Sequence, residues 1–129
     1  MAWEPMAITS KDAVDVEGDQ VQVVWSLDRN PEADWVREFR RASLDHGVAF
    51  DFPRIPSPDV RLGGSIHWTV PAADLRAAVE HVKACVADAN TAYAGVLARR
   101  HEERRRRAAE EAAKAERLRA AQQALNAMD

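Results

Sequence analysis

Two periods take turns along this chain. Val14 and Val16 alternate with Asp15 and Glu17, Gly18-Asp19 interrupts, and Val21, Val23, Trp25 and Leu27 then alternate with Gln22, Val24 and Ser26. Period two on both sides of a Gly-Asp pair predicts a β-hairpin with a two-residue loop. Glu17 then faces Gln20 and Val16 faces Val21, so the apolar sides of the two strands coincide. Ile8 marks an earlier strand start. Asn30-Pro31 predicts a helix, with Asn30 as N-cap, proline at the first helical position, and Glu32 and Asp34 favoured by the dipole. Trp35, Phe39 and Ala42 make its apolar stripe, and His46-Gly47 closes it.

Alternation returns in Val48, Phe50 and Phe52, a third strand. Pro53, Pro56 and Pro58 forbid regular structure from there through Gly63-Gly64. Ile66, Trp68 and Val70 alternate with Ser65, His67 and Thr69 as a fourth strand, and Pro71 opens a second helix with Asp74 in its first turn. The two helix starts, Pro31-Glu-Ala-Asp34-Trp35 and Pro71-Ala-Ala-Asp74-Leu75, resemble each other, as an internal repeat of hairpin and helix would. The order is ββαββα. Each strand has one apolar face and one polar face, the latter made of Asp15, Glu17, Gln22, Ser26, Asp51, Ser65, His67 and Thr69. This pattern predicts an α+β fold, a small four-stranded mainly antiparallel sheet with two helices on one face.

The second helix is the exceptional element. From Pro71 onward there is one glycine, Gly95, and no further proline, in a sequence dense in Ala, Arg, Glu and Leu. A helix of that extent is roughly 85 Å long at about 1.5 Å per residue. A compact chain of this size has a radius of gyration of only about 14 Å. The expectation is an α+β body over residues 1–97, with residues 98–129 as a projecting charged arm continuous with the second helix.

Three stretches of that helix differ in character. Leu75, Val79, Val82, Val86, Ala89, Tyr93 and Val96 are spaced 4, 3, 4, 3, 4, 3, as expected of a face that covers the sheet, or of a coiled-coil seam. Residues 99–107 then hold six Arg and two Glu, a net of +4, with no apolar stripe. Arg99, Arg100, Arg104, Arg105, Arg106 and Arg107 are candidate phosphate contacts. The same stretch places Arg99 with Glu103, Glu102 with Arg106, Glu103 with Arg107, Arg106 with Glu110 and Arg107 with Glu111, all i, i+4, which favours a solvated strut. Beyond it Leu118, Ala121, Leu125 and Met128 recur at 3, 4, 3, a thin apolar face suited to a partner helix or a second copy.

Composition sharpens this picture in a few places. Net charge is −3, but residues 1–70 carry 12 acids against 7 bases and residues 71–129 carry 9 acids against 11 bases. Such asymmetry points to a tail with its own partner. One cysteine, Cys85, excludes an intramolecular disulfide, and it reads as a small buried hydrophobe. No apolar run approaches the ~20 residues of a membrane span and the first twelve residues lack a secretory pattern, so a cytoplasmic protein is expected. Arg outnumbers Lys 15 to 3, the skew of a GC-rich bacterial or phage genome.

Chemistry is sparse. Gly63-Gly64 lacks the following Lys-Ser/Thr of a phosphate loop. The four histidines, at 46, 67, 81 and 101, show no metal-ligand spacing, so neither metal nor cofactor is expected. His67 with Asp51, and Asp15 or Glu17 close by, is the best acid–base constellation, and it reads first as a solvated sheet face. The primary expectation is a non-enzymatic interaction or oligomerisation protein whose arm meets its own copy or another protein through Leu118, Ala121, Leu125 and Met128. A nucleic-acid-associated protein using the arginines is the alternative, and an enzyme or ligand binder on the polar sheet face the third.

Overall fold

The computed structural model describes residues 3–46 and 57–128. Its elements are β1 (Ile8–Glu17), β2 (Gln20–Leu27), α1 (Ala33–Asp45), β3 (Asp59–Arg61), β4 (Ser65–Pro71) and α2 (Leu75–Asn126). The strands lie in the order β1-β2-β4-β3, every pair antiparallel. This is the expected α+β class with ββαββα order.

The hairpin has the register read from the sequence, with Glu17 opposite Gln20 and Val16 opposite Val21. Gly18 takes φ +60, the left-handed value that a type II′ turn requires at its first central residue. Val21, Val23, Trp25 and Leu27 face the core beside Ile66, Trp68 and Val70, and all seven are buried. Trp35, Phe39 and Ala42 from α1 and Val82, Cys85, Val86, Ala89 and Tyr93 from α2 complete that core. Trp35 stacks on Phe39 with ring centroids 5.6 Å apart. The first stretch of the apolar stripe on α2 therefore serves the body.

Three expectations change. The strand expected at Val48, Phe50 and Phe52 lies outside the described residues. The segment from Pro53 to Gly64 does contain a strand: Asp59, Val60 and Arg61 follow the last proline, keep their backbone N–H groups, and pair with His67, Ile66 and Ser65. Asn30 is not the N-cap of α1. Its Oδ1 accepts the Gly63 N–H at 3.2 Å, and the helix begins after Glu32 instead. At the second helix, Pro71 still belongs to β4 and Ala72 donates to the Asp19 carbonyl at 2.7 Å, so a 3-10 turn, Ala72–Asp74, precedes α2.

The N-terminal segment is tied to the helices. Asn90 on α2 donates from Nδ2 to the Met6 carbonyl, and its Oδ1 accepts both the Met6 N–H and the Trp35 indole N–H, each at 2.9 Å. α2 runs without interruption through Asn90 and Gly95. The chain divides into two compact units between Ala94 and Gly95.

Candidate functional site

Residues 98–128 make the candidate site. Every residue in this stretch is exposed except Glu103, which is half-buried, and residues 98–126 are helical. Isolated helices shorter than about 12–15 residues are marginal in water, and this stretch is longer than that. Local pairs supply part of what packing does not. Glu103 accepts from Arg106 at 2.8 Å and pairs with Arg107 at 3.3 Å. Arg105 with Glu102, Arg106 with Glu110 and Arg119 with Glu116 add pairs at 3.8, 4.0 and 3.0 Å. Each such exposed pair contributes roughly 0.3 kcal/mol.

The apolar candidates of this stretch are solvent-facing. Leu118, Leu125 and Met128 are 70%, 61% and 68% exposed, with Ala121 exposed between them. At about 100° per residue Leu118, Ala121 and Leu125 fall within an arc of about 60°, and Met128 follows two residues past the end of the helix. The arginine candidates distribute differently. Arg99, Arg100, Arg104, Arg105, Arg106 and Arg107 are all exposed and surround the helix. The subset Arg100, Arg104 and Arg107, at i, i+4 and i+7, shares one side.

On the sheet, the acid–base constellation is rearranged. Asp51 is outside the described residues. Asp15 and Glu17 lie on β1, opposite Gln22 and Gln20, at the hairpin end and separated from β4 by β2. The acid directly across from His67 is Asp59 on β3, itself paired with Arg61 at 3.2 Å. Ser65 Oγ stands 2.9 Å from Nε2 of His67, while Nδ1 is buried with no partner among the described residues. Burial lowers the His67 pKa, the Arg61 guanidinium lowers it further, and Asp59 opposes them. The described group is an imidazole beside a hydroxyl with Asp59 across from it, and the expected His67–Asp51 pair lies partly outside the described residues. The strand β3 was the missing signal: a stretch of Asp-Val-Arg has too little alternation to announce itself.

A second histidine is enclosed between the helices and the sheet. His81 is buried, with Ser43 Oγ 3.1 Å and Cys85 Sγ 3.5 Å from Nε2 and its ring 5.2 Å from that of Trp68. Burial and then the neighbouring His46 lower its pKa. Burial, with the Asp88 carboxylate, pushes the Cys85 thiol up to about 12. A thiol so poorly ionised is a packing group and not a nucleophile. Among the described residues no three His, Cys, Asp or Glu side chains are grouped to hold a metal ion, and no helix is long and apolar enough to cross a membrane.

No protein-family model, curated protein or solved structure matches this chain.

Proposed function

We propose that this is a non-enzymatic interaction protein that self-associates through the C-terminal part of α2. The observation that carries the reading is the exposed strip of Leu118, Ala121 and Leu125 on a helix stretch with no buried residue, with Met128, also exposed, two residues past the helix end. A second copy fits this strip in an antiparallel sense. With Leu118 opposite Leu125 of the other copy, Ala121 meets Gln122 and Ala115 meets Met128, so small and large residues alternate across the seam. The same register sets the two +4 arginine stretches about 55 Å apart at about 1.5 Å per residue. That is far beyond the Debye length of about 8 Å at physiological salt. A parallel pairing would bring them side by side. The overlap is short, about four turns, and the affinity is correspondingly modest.

The test is absolute mass by light scattering on the full chain, on the triple variant Leu118→Gln, Leu125→Gln, Met128→Gln, and on a chain ending at Ala98. Self-association predicts a concentration-dependent dimer for the full chain and a monomer for the other two, with unchanged near-ultraviolet circular dichroism of the body. A dimer that survives the triple change refutes the strip as the seam.

The second reading, a nucleic-acid-associated protein, is favoured by the shared side of Arg100, Arg104 and Arg107. It requires binding to duplex or single-stranded probes whose log affinity falls with log salt at about −0.7 to −0.9 per phosphate neutralised. No binding at low salt ends it.

A further inference from the structure

A groove of about 400 Å³ opens between β1 and α2. Its making begins with a register shift. Ile8 faces Leu27, Ser10 faces Ser26 and Lys11 faces Trp25, with one irregularity between Ile8 and Ser10. In an uninterrupted strand, residues three apart point to opposite faces. The shift puts Ile8 and Lys11 on the same side, the helix-bearing one, as bulges beside functional sites do. Across from them, Val79, Lys83 and Val86 occupy i, i+4 and i+7 on one side of α2 and line the same groove.

The result is an apolar slot with two ammonium groups. Ile8, Val79 and Val86 supply the walls, while Lys11 and Lys83 supply positive charge. Lys83 has an exposed partner in Glu80 at 3.9 Å, a pair weak enough in water to yield to a ligand carboxylate. Trp25 lies beneath the groove, 1% exposed, and its indole N–H is buried without a partner among the described residues. Buried donors are nearly always paired, so an orphan beneath a groove is notable. The volume is that of a small-molecule site, about 300–1,000 Å³, with mostly apolar walls and a few polar groups that fix orientation.

We propose that this groove binds a small amphipathic carboxylate, its apolar body against Ile8, Val79 and Val86 and its charged end between Lys11 and Lys83. Two lysines without an arginine fork suit a single carboxylate held as a point charge. A carboxylate oxygen seated above Trp25 accepts from the indole N–H once the ring tilts toward it. The proposal is independent of self-association, since the groove lies wholly within residues 8–90. Its rival is protective: a lysine turned inward on an edge strand also blocks strand addition.

The experiment titrates the ¹⁵N-labelled full chain with octanoate, octanol and inorganic phosphate, following the Trp25 indole resonance. The expected result is a saturable shift with octanoate, roughly tenfold weaker binding of octanol, and no shift with phosphate. The double variant Lys11→Gln, Lys83→Gln loses about tenfold in octanoate affinity and keeps its octanol affinity, two surface-type ion pairs being worth about a factor of ten together. Equal urea midpoints for variant and parent show that the fold is intact. Three results overturn the proposal: no saturable octanoate shift, equal binding of octanoate and octanol, or indifference to the double variant. Any of them leaves Lys11 as edge protection.

Discussion

Replacing Asn90 by alanine tests how the body is held together. The amide makes three hydrogen bonds at 2.9 Å, two to the Met6 backbone and one from the Trp35 indole. Trp35 is buried, so its N–H has no water to turn to when the amide is gone. An orphaned buried donor costs about 1–3 kcal/mol, and the two partly buried Met6 groups lose roughly 1 kcal/mol each. Alanine returns about 0.6 kcal/mol of helix propensity. The net loss is about 3 kcal/mol, a large share of the 5–15 kcal/mol typical of a domain. Urea unfolding followed by tryptophan fluorescence reads it as a midpoint lowered by roughly 2 M at a slope of about 1–2 kcal/mol per molar. Trp35→Phe removes the donor as well, so in that background the cost of Asn90→Ala falls by at least ~1 kcal/mol. A single-variant loss under ~1 kcal/mol with unchanged slope, or no coupling in the cycle, refutes the reasoning.

Gly64→Ala is expected to cost about 2–4 kcal/mol in the same assay, because Gly64 sits at φ +87 and a Cβ there would lie 2.5 Å from the Arg29 carbonyl oxygen. Gly63→Ala, with open space around its Cβ, isolates the positive-φ part of that cost. His81 makes the fold acid-sensitive in a defined direction. Its folded pKa lies below the ordinary 6.5, so the unfolded chain takes up the proton first, and stability falls as pH drops below about 6.5 until the folded imidazole also protonates. His81→Gln flattens the stability–pH curve between about pH 7 and 5 relative to the parent, and an unchanged slope there contradicts the assignment.

The sequence made the large elements legible and hid the small ones. The Gly18-Asp19 turn with period two on both sides marks the hairpin and its register beside the turn, from Asp15 to Gln22, and the 4, 3 spacing from Val79 to Tyr93 marks the face that meets the sheet. Both signals repeat over many residues. What was hidden depends on single groups choosing distant partners. Asn30 looks like a helix cap until the Gly63 N–H claims its side chain. Asn90 carries no mark in the helical pattern, yet it joins Met6 to Trp35. The register shift between Ala13 and Asp15 that turns Lys11 to the side of Trp25 cannot be read from alternation, since one extra residue reverses the parity of everything before it. Asp59, the acid across from His67, is hidden for a different reason: it belongs to a three-residue strand that has no periodic signature.

The C-terminal part of α2 poses the opposite question, why apolar residues stand where folding does not ask for them. Leu, Gln and Lys differ little in helix propensity, so polar residues at 118 and 125 would give as stable a helix. The ion pairs around Glu103 and between Arg119 and Glu116 already support it from the surface. One exposed leucine is ordinary on any protein and would carry no meaning. Leu118 and Leu125 about 20° apart on one side of the helix, with Met128 just past its end and each more than half exposed, are different, because scattered placement would spread them around the helix. Their alignment has a physical use only if something covers them. The antiparallel second copy proposed above would do so while keeping the arginine stretches apart. In that proposal the charge pattern limits the orientation, and the apolar strip sets the register.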